Sequence, residues 1–158
     1  MPLTPYLPYR ATVPREWIDY NGHMNVACYV LAFDQATDLL FDYLALGEAY
    51  RRATNCSIFA LEAHVTYERQ LREGEVFAIE TRLIDADRKR LHMFHAMTKG
   101  DGAELAATME VMALHVDLAG PHSALIPDEA WTKIEALLAT HRQLPIPPQL
   151  GRKIGIRR

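Results

Sequence analysis

A polar cluster followed at once by a long apolar run constrains this chain more than any other feature. The cluster is Asp19-Tyr20-Asn21-Gly22-His23-Met24-Asn25, and the run behind it extends from Val26 to Leu46. The polar members Asp34, Asp38 and Asp42 recur at i, i+4 and i+8, which draws a single stripe along a helix. The other positions are mostly Val, Ala, Tyr, Leu, Phe or Cys, so the run reads as a helix apolar nearly all round and therefore buried. Asn25 is placed to be its N-cap, and Gly47 to be the left-handed residue past its end. A buried helix whose positive end faces an acid and a histidine is a plausible reaction site.

The rest of the chain says what encloses such a helix. Tyr9 to Val13 reads as a short strand ended by Pro14, and Arg15 to Asn25 as an irregular loop. Glu48 to Asn55 reads as a helical turn or loop. From Cys56 the period changes to two: Phe59, Leu61, Ala63, Val65 and Tyr67 alternate with Ala60, Glu62, His64, Thr66 and Glu68, as in a half-buried strand. Further strands follow over Phe77 to Ile84, Leu91 to Thr98 and Glu104 to Val116. Gly100-Asp101-Gly102 is the strongest hairpin signal, and short turns between the four strands suggest an antiparallel meander. Pro127 to Thr140 reads as an amphipathic helix with Trp131, Ile134, Leu137 and Leu138 on one side. The proline-rich, then basic, tail Pro145 to Arg158 is expected to be partly disordered, and Met1 to Pro8 to be an extended lead-in.

A chain of 158 residues can bury one proper core. Two cysteines, Cys28 and Cys56, have no metal or disulfide spacing and suit a reducing cytoplasm. The net charge of −3, with no basic face, argues against nucleic acid as partner. No signal peptide is read, and three aspartates interrupt the apolar run, which argues against a membrane span. No metal and no cofactor is expected. His92 and His95 fall three apart on a strand, hence on opposite faces. A helix buried on most sides needs a curved sheet around it, and a second copy is the natural cover for the flank left open, so a homodimer or a dimer of dimers is expected.

At this point the residues carry a resemblance. Asp19-x-x-Gly22, with Tyr29 and Asp34-x-Ala36 on the following helix, resembles the hotdog-fold acyl-CoA thioesterases of the 4-hydroxybenzoyl-CoA thioesterase type. It covers roughly Tyr9 to Asp117. The resemblance implies an α+β hotdog fold, in which a five-stranded antiparallel sheet wraps a long central helix. It also implies paired sheets in a dimer, with the sites at the interface. Residues 1–120 would form the hotdog domain, and residues 121–158 a C-terminal helix and tail. Trp17-Ile18-Asp19-Tyr20-Asn21-Gly22-His23-Met24-Asn25 and Phe33-Asp34-x-Ala36-Thr37-Asp38 further resemble the betainyl-CoA thioesterase branch of carnitine catabolism.

Asp19 matches the family's catalytic aspartate, as nucleophile or general base. Val26 matches the position whose backbone N–H polarises the thioester carbonyl, and Asp34 one that contacts the acyl group. Asn21, His23 and Asn25 are candidates to orient Asp19 or water, and His23 to pass a proton to the thiolate. Trp17, Tyr20, Tyr29 and Asp34 offer aromatic faces and a carboxylate to a trimethylammonium group. Arg88, Lys89 and Arg90 resemble a basic hairpin near the coenzyme A phosphates. Set against these readings, Asp19 alone is also a good turn cap, Asn25 is an N-cap first, and Cys28 reads as packing. The competing functions are a non-catalytic acyl-CoA-binding hotdog module, a hydratase using Asp19 and His23, and an interaction protein using the tail.

Overall fold

The computed structural model describes residues 8–100, 102 and 104–158. The lead-in expected over Met1 to Pro8 thus lies almost wholly outside the described residues, as does Asp101 of the hairpin. Strand β1 (Tyr9–Thr12) leads through a 3-10 turn (Arg15–Trp17) into helix α1 (Val26–Tyr43), then α2 (Glu48–Thr54). Strands β2 (Cys56–Tyr67), β3 (Val76–Ala86), β4 (Arg90–Lys99), β5 (Glu104–Asp117) and the two-residue β6 (His122–Ser123) follow, and α3 (Asp128–His141) comes last.

The sheet runs β1-β3-β4-β5-β2, antiparallel throughout, with β6 beside the end of β5. Only β3, β4 and β5 form a meander. β2 crosses to the far edge and pairs with β5, so the four-strand meander read from the sequence is corrected. The reason lies in the connection after Tyr67. It is not a tight hairpin but a loop pinned to the polar cluster, with Leu71 fully buried and its carbonyl accepting from Met24 N–H at 2.7 Å.

The inner face of the sheet carries Phe77, Ile79, Leu83, Leu91, Met93, Met97, Met109 and Val111 against Phe33, Ala36 and Leu40 of α1. Burying Phe33 and Leu40 stabilises by about 2 kcal/mol each. α3 adds Ala130, Ile134 and Leu138 to the same core. Its last turn also covers the open side of β3, where Leu83 N–H donates to His141 Nδ1 at 2.9 Å.

Further sequence expectations change. First, α1 is not buried all round. Tyr29, Ala32, Phe33, Ala36, Thr37 and Leu40 are buried, whereas Val30, Leu31, Leu39 and the aspartate stripe face outward in the single chain. Second, Ala45 (φ +59°), not Gly47, takes the left-handed position after α1. Leu46 N–H reaches Phe41 O at 2.8 Å and Ala45 N–H reaches Asp42 O at 3.1 Å, the Schellman pattern. Gly47 instead leaves room for the Asp42 carboxylate, whose Oδ1 lies 2.0 Å from where a Cβ would stand.

Third, the alternation read along β2 is broken by a bulge between Ala60 and Glu62. Ile58 and Val65 pack against the core, whereas Ala63 is exposed and Phe59 and Leu61 are 47% and 58% exposed. The tail is also placed rather than loose. It crosses the outer face of the sheet, with Pro145 O accepting from Arg82 at 2.7 Å and Gly151 N–H donating to Glu110 Oε1 at 2.6 Å.

Candidate active site

The polar cluster is a closed loop tied to both neighbours of the helix start. Asp19 O accepts from Gly22 N–H at 3.0 Å, and Gly22 supplies the φ of +77° that the turn needs. Asp19 N–H returns to His23 O at 3.1 Å, and Ile18 bridges Met24. Asn25 N–H donates to Trp17 O at 2.8 Å. The loop therefore hands the chain to α1 with its geometry fixed on three sides.

Two donors hold the Asp19 carboxylate. Asn21 N–H reaches Oδ1 at 2.9 Å and the Asn25 side-chain amide reaches Oδ2 at 3.1 Å. Asn25 does two things at once, since its own Oδ1 accepts from Ala27 N–H at 2.9 Å and so caps α1. The N-cap and the orienting group, weighed as alternatives from the sequence, are one side chain. Val26 N–H, the first of the helix, has no hydrogen-bond partner among the described residues and stands at the positive end of the macrodipole.

These groups open on a cleft of about 810 Å³ lined by Asp19, Asn21, His23, Met24, Val26 and Tyr29 on one side. Tyr67, Glu68, Arg69 and Gln70 form the other side. Tyr29 is anchored by its hydroxyl, which donates to Arg69 O and accepts from Leu71 N–H, both at 3.2 Å. Tyr67 meets Tyr29 edge to face at 5.2 Å and donates to Val26 O at 3.3 Å. Burial pushes both phenols up, so they stay neutral in the cleft. His23 is half-buried, and its Nδ1 is buried with no partner among the described residues. Cys28 sits close by, and burial, then the Asp19 charge, pushes its thiol up, which disfavours a thiolate. No group of His, Cys, Asp and Glu among the described residues could hold a metal ion.

The sequence candidates divide accordingly. Asp19, Asn21, His23 and Val26 line the cleft, and Asn25 stands behind Asp19. Trp17 turns inward and packs 6.4 Å from Phe77, and Tyr20 is 97% exposed at the turn tip. Asp34 lies two turns along α1 on its outward face. Arg88, Lys89 and Arg90 form the β3–β4 turn at the other end of the sheet, engaged with Asp128, Ser123 and Asp87. His92 and His95 do fall on opposite faces. His92 pairs with Glu110 outside, whereas His95 is fully buried beside Phe33. The wall from Tyr67 to Gln70 was missed. Its only sequence signal is a polar run directly after an alternating strand.

With this geometry in hand, the profile of the Thioesterase-like superfamily matches residues 13–154. The betainyl-CoA thioesterase of Pseudomonas aeruginosa is 41% identical over 94% of this chain and 93% of that protein. The L-carnitine dehydrogenase/betainyl-CoA thioesterase of Agrobacterium fabrum is 34% identical over 90% of this chain, which spans 29% of that longer protein. The crystal structure of SAV2348 from Staphylococcus aureus, in complex with CoA, superposes with a TM-score of 0.91 at 34% identity. That match covers 96% of each chain.

Proposed function

The chain belongs to the thioesterase-like superfamily and has its acyl-CoA thioesterase activity on a hotdog fold, and we propose that its substrate is betainyl-CoA. The observation that carries the site is the Asp19 carboxylate, held by two N–H donors beside an unpartnered helix N-terminus. The likeness to proteins that act on betainyl-CoA supports the acyl group. So does the chemistry of the cleft. A trimethylammonium group is favoured by aromatic faces and nearby carboxylates, and Tyr29, Tyr67, Asp19 and Glu68 line one space.

In this reading Asp19 is the nucleophile or the general base at the thioester carbon. Asn21 N–H and the Asn25 amide fix its orientation, so little reorganisation is needed at reaction. As a C–O bond forms, negative charge grows on the carbonyl oxygen, and Val26 N–H with the helix dipole is the group that receives it. One such donor is worth about 3 kcal/mol. The C–S bond then breaks, and His23 is the cleft group available to pass a proton to the departing sulfur. Overall one water is consumed, and a carboxylic acid and a thiol leave.

The active assembly in this proposal is a homodimer. Val30, Leu31 and Leu39 of α1 and Phe59 and Leu61 of β2 are each 39–58% exposed, and β2 is an edge strand with unpaired backbone groups. A second copy along this edge covers them and brings the outward Asp34 into an interface. The chain up to residue 120 is then the catalytic unit, and the remainder serves it. Thiol release from a panel of betainyl-, acetyl-, 4-hydroxybenzoyl- and medium-chain acyl-CoA tests the substrate. A kcat/KM for betainyl-CoA well above the others is expected. Hydrolysis of betainyl-CoA no faster than acetyl-CoA removes the assignment.

A further inference from the structure

The thioester cleft has a neighbour. Its wall residues Tyr67 and Glu68 also line a second hollow of about 290 Å³, on the outer side of β2. The facing wall of that hollow is the tail, which contributes Arg152, Lys153 and Arg157. From Pro145 to Arg158 the chain carries four cations and no acid. The tail is seated there by Gly151 N–H on Glu110, and Arg152 lies 3.9 Å from Glu68. Lys153 and Arg157 form no ion pair among the described residues.

We propose that Arg152, Lys153 and Arg157 of the tail bind the nucleotide phosphates of the acyl-CoA. This rests on the thioesterase reading of the adjoining cleft. An acyl-CoA carries its reactive carbonyl at one end of a pantetheine arm and several phosphate charges at the other. With the carbonyl at Asp19, the arm leaves the cleft past its rim, and across the shared Tyr67–Glu68 wall it meets the cationic strand. Guanidinium and ammonium groups form charge-assisted bonds to phosphate oxygens, Arg in a fork and Lys as a point charge. The other basic cluster is less suited. Arg88 and Arg90 are already paired with Asp128 and Asp87, and their turn lies at the opposite end of the sheet. Among the described residues, Glu68 is the one carboxylate lining both hollows, and Arg152 offsets it.

The test uses the full chain with Arg152→Gln, Lys153→Gln and Arg157→Gln combined, which keeps the tail's length and its Gly151 anchor. Calorimetry would compare CoA with pantetheine, which has the arm but no phosphate. CoA is expected to bind wild type at least about tenfold more tightly than pantetheine, and the variant to lose that advantage while its pantetheine affinity is unchanged. In turnover, KM for acyl-CoA is expected to rise about tenfold with kcat within about twofold, and hydrolysis of the matching acyl-pantetheine to be unaltered. Equal CoA affinity in wild type and variant overturns the proposal. So does an equal loss toward CoA and pantetheine, which marks the tail as a structural cover only. Phosphate-dependent CoA binding by a wild type that cleaves no thioester would defeat the catalytic reading and leave the phosphate site standing.

Discussion

Asn25 joins two tasks whose energies are separable. Its Oδ1 caps α1 and its Nδ2 holds Asp19. Asn25→Ala is expected to lose about 1 kcal/mol of stability and at least about tenfold in kcat. Asn25→Ser restores the cap but does not reach Asp19, so thermal unfolding should recover while thiol release stays low. If both recover together, the contact to Asp19 does not matter. His95 sets a different test. It is fully buried between Thr81 Oγ1 at 2.8 Å and Thr37 Oγ1 at 3.2 Å, and burial lowers its pKa from 6.5 to about 3. The unfolded chain therefore binds a proton where the folded chain does not, and stability falls as pH drops from about 6.5 toward 3. The loss from this group alone reaches up to about 5 kcal/mol. His95→Gln keeps hydrogen-bonding groups without the titration. Acid unfolding followed by circular dichroism should be shallower over that window, although the variant starts less stable at pH 7.

At the scale of elements, the end of α1 gives two substitutions of opposite sign. Ala45→Gly relieves a left-handed alanine and is expected to stabilise by about 0.5–1 kcal/mol. Gly47→Ala makes the exposed Asp42 carboxylate swing aside and should destabilise by about 0.5 kcal/mol or less. Denaturant melts of the two variants check both signs. The same turn shows what a sequence can disclose. The start of α1 was legible because an N-cap asparagine before an apolar run has one local meaning. Its end was not, because a glycine marks either a left-handed backbone or a missing Cβ, and only the position of Asp42 separates these. The bulge in β2 was equally hidden, since Phe59 and Leu61 keep the apolar alternation of a buried face while lying at an exposed edge. The first half of the cleft was legible as one contiguous motif. The second half, Tyr67 to Gln70, was not, because the crossing of β2 to the far edge brings it there.

For the whole molecule, the apolar run that reads as a fully buried helix is half-exposed in one chain. A sequence records the burial of the working assembly, which the proposed dimer supplies. Leu61→Glu places a charge on the open β2 edge and is expected to shift the mass in sedimentation toward the monomer, with thioesterase activity falling alongside it. An unchanged dimer would move the interface elsewhere. None of the helices among the described residues is long and apolar enough to cross a membrane.

Asp19 is proposed to perform the chemistry, and thiol release by wild type beside Asp19→Asn is the decisive comparison. The amide keeps the size of the side chain and one acceptor oxygen but can neither attack a thioester nor take a proton from water. With folding verified by an unchanged melting profile, kcat is expected to fall about a thousandfold on the best acyl-CoA of the panel. A variant that folds and turns over at the wild-type rate would take the chemistry away from Asp19 and leave the carboxylate at the helix mouth as a turn cap.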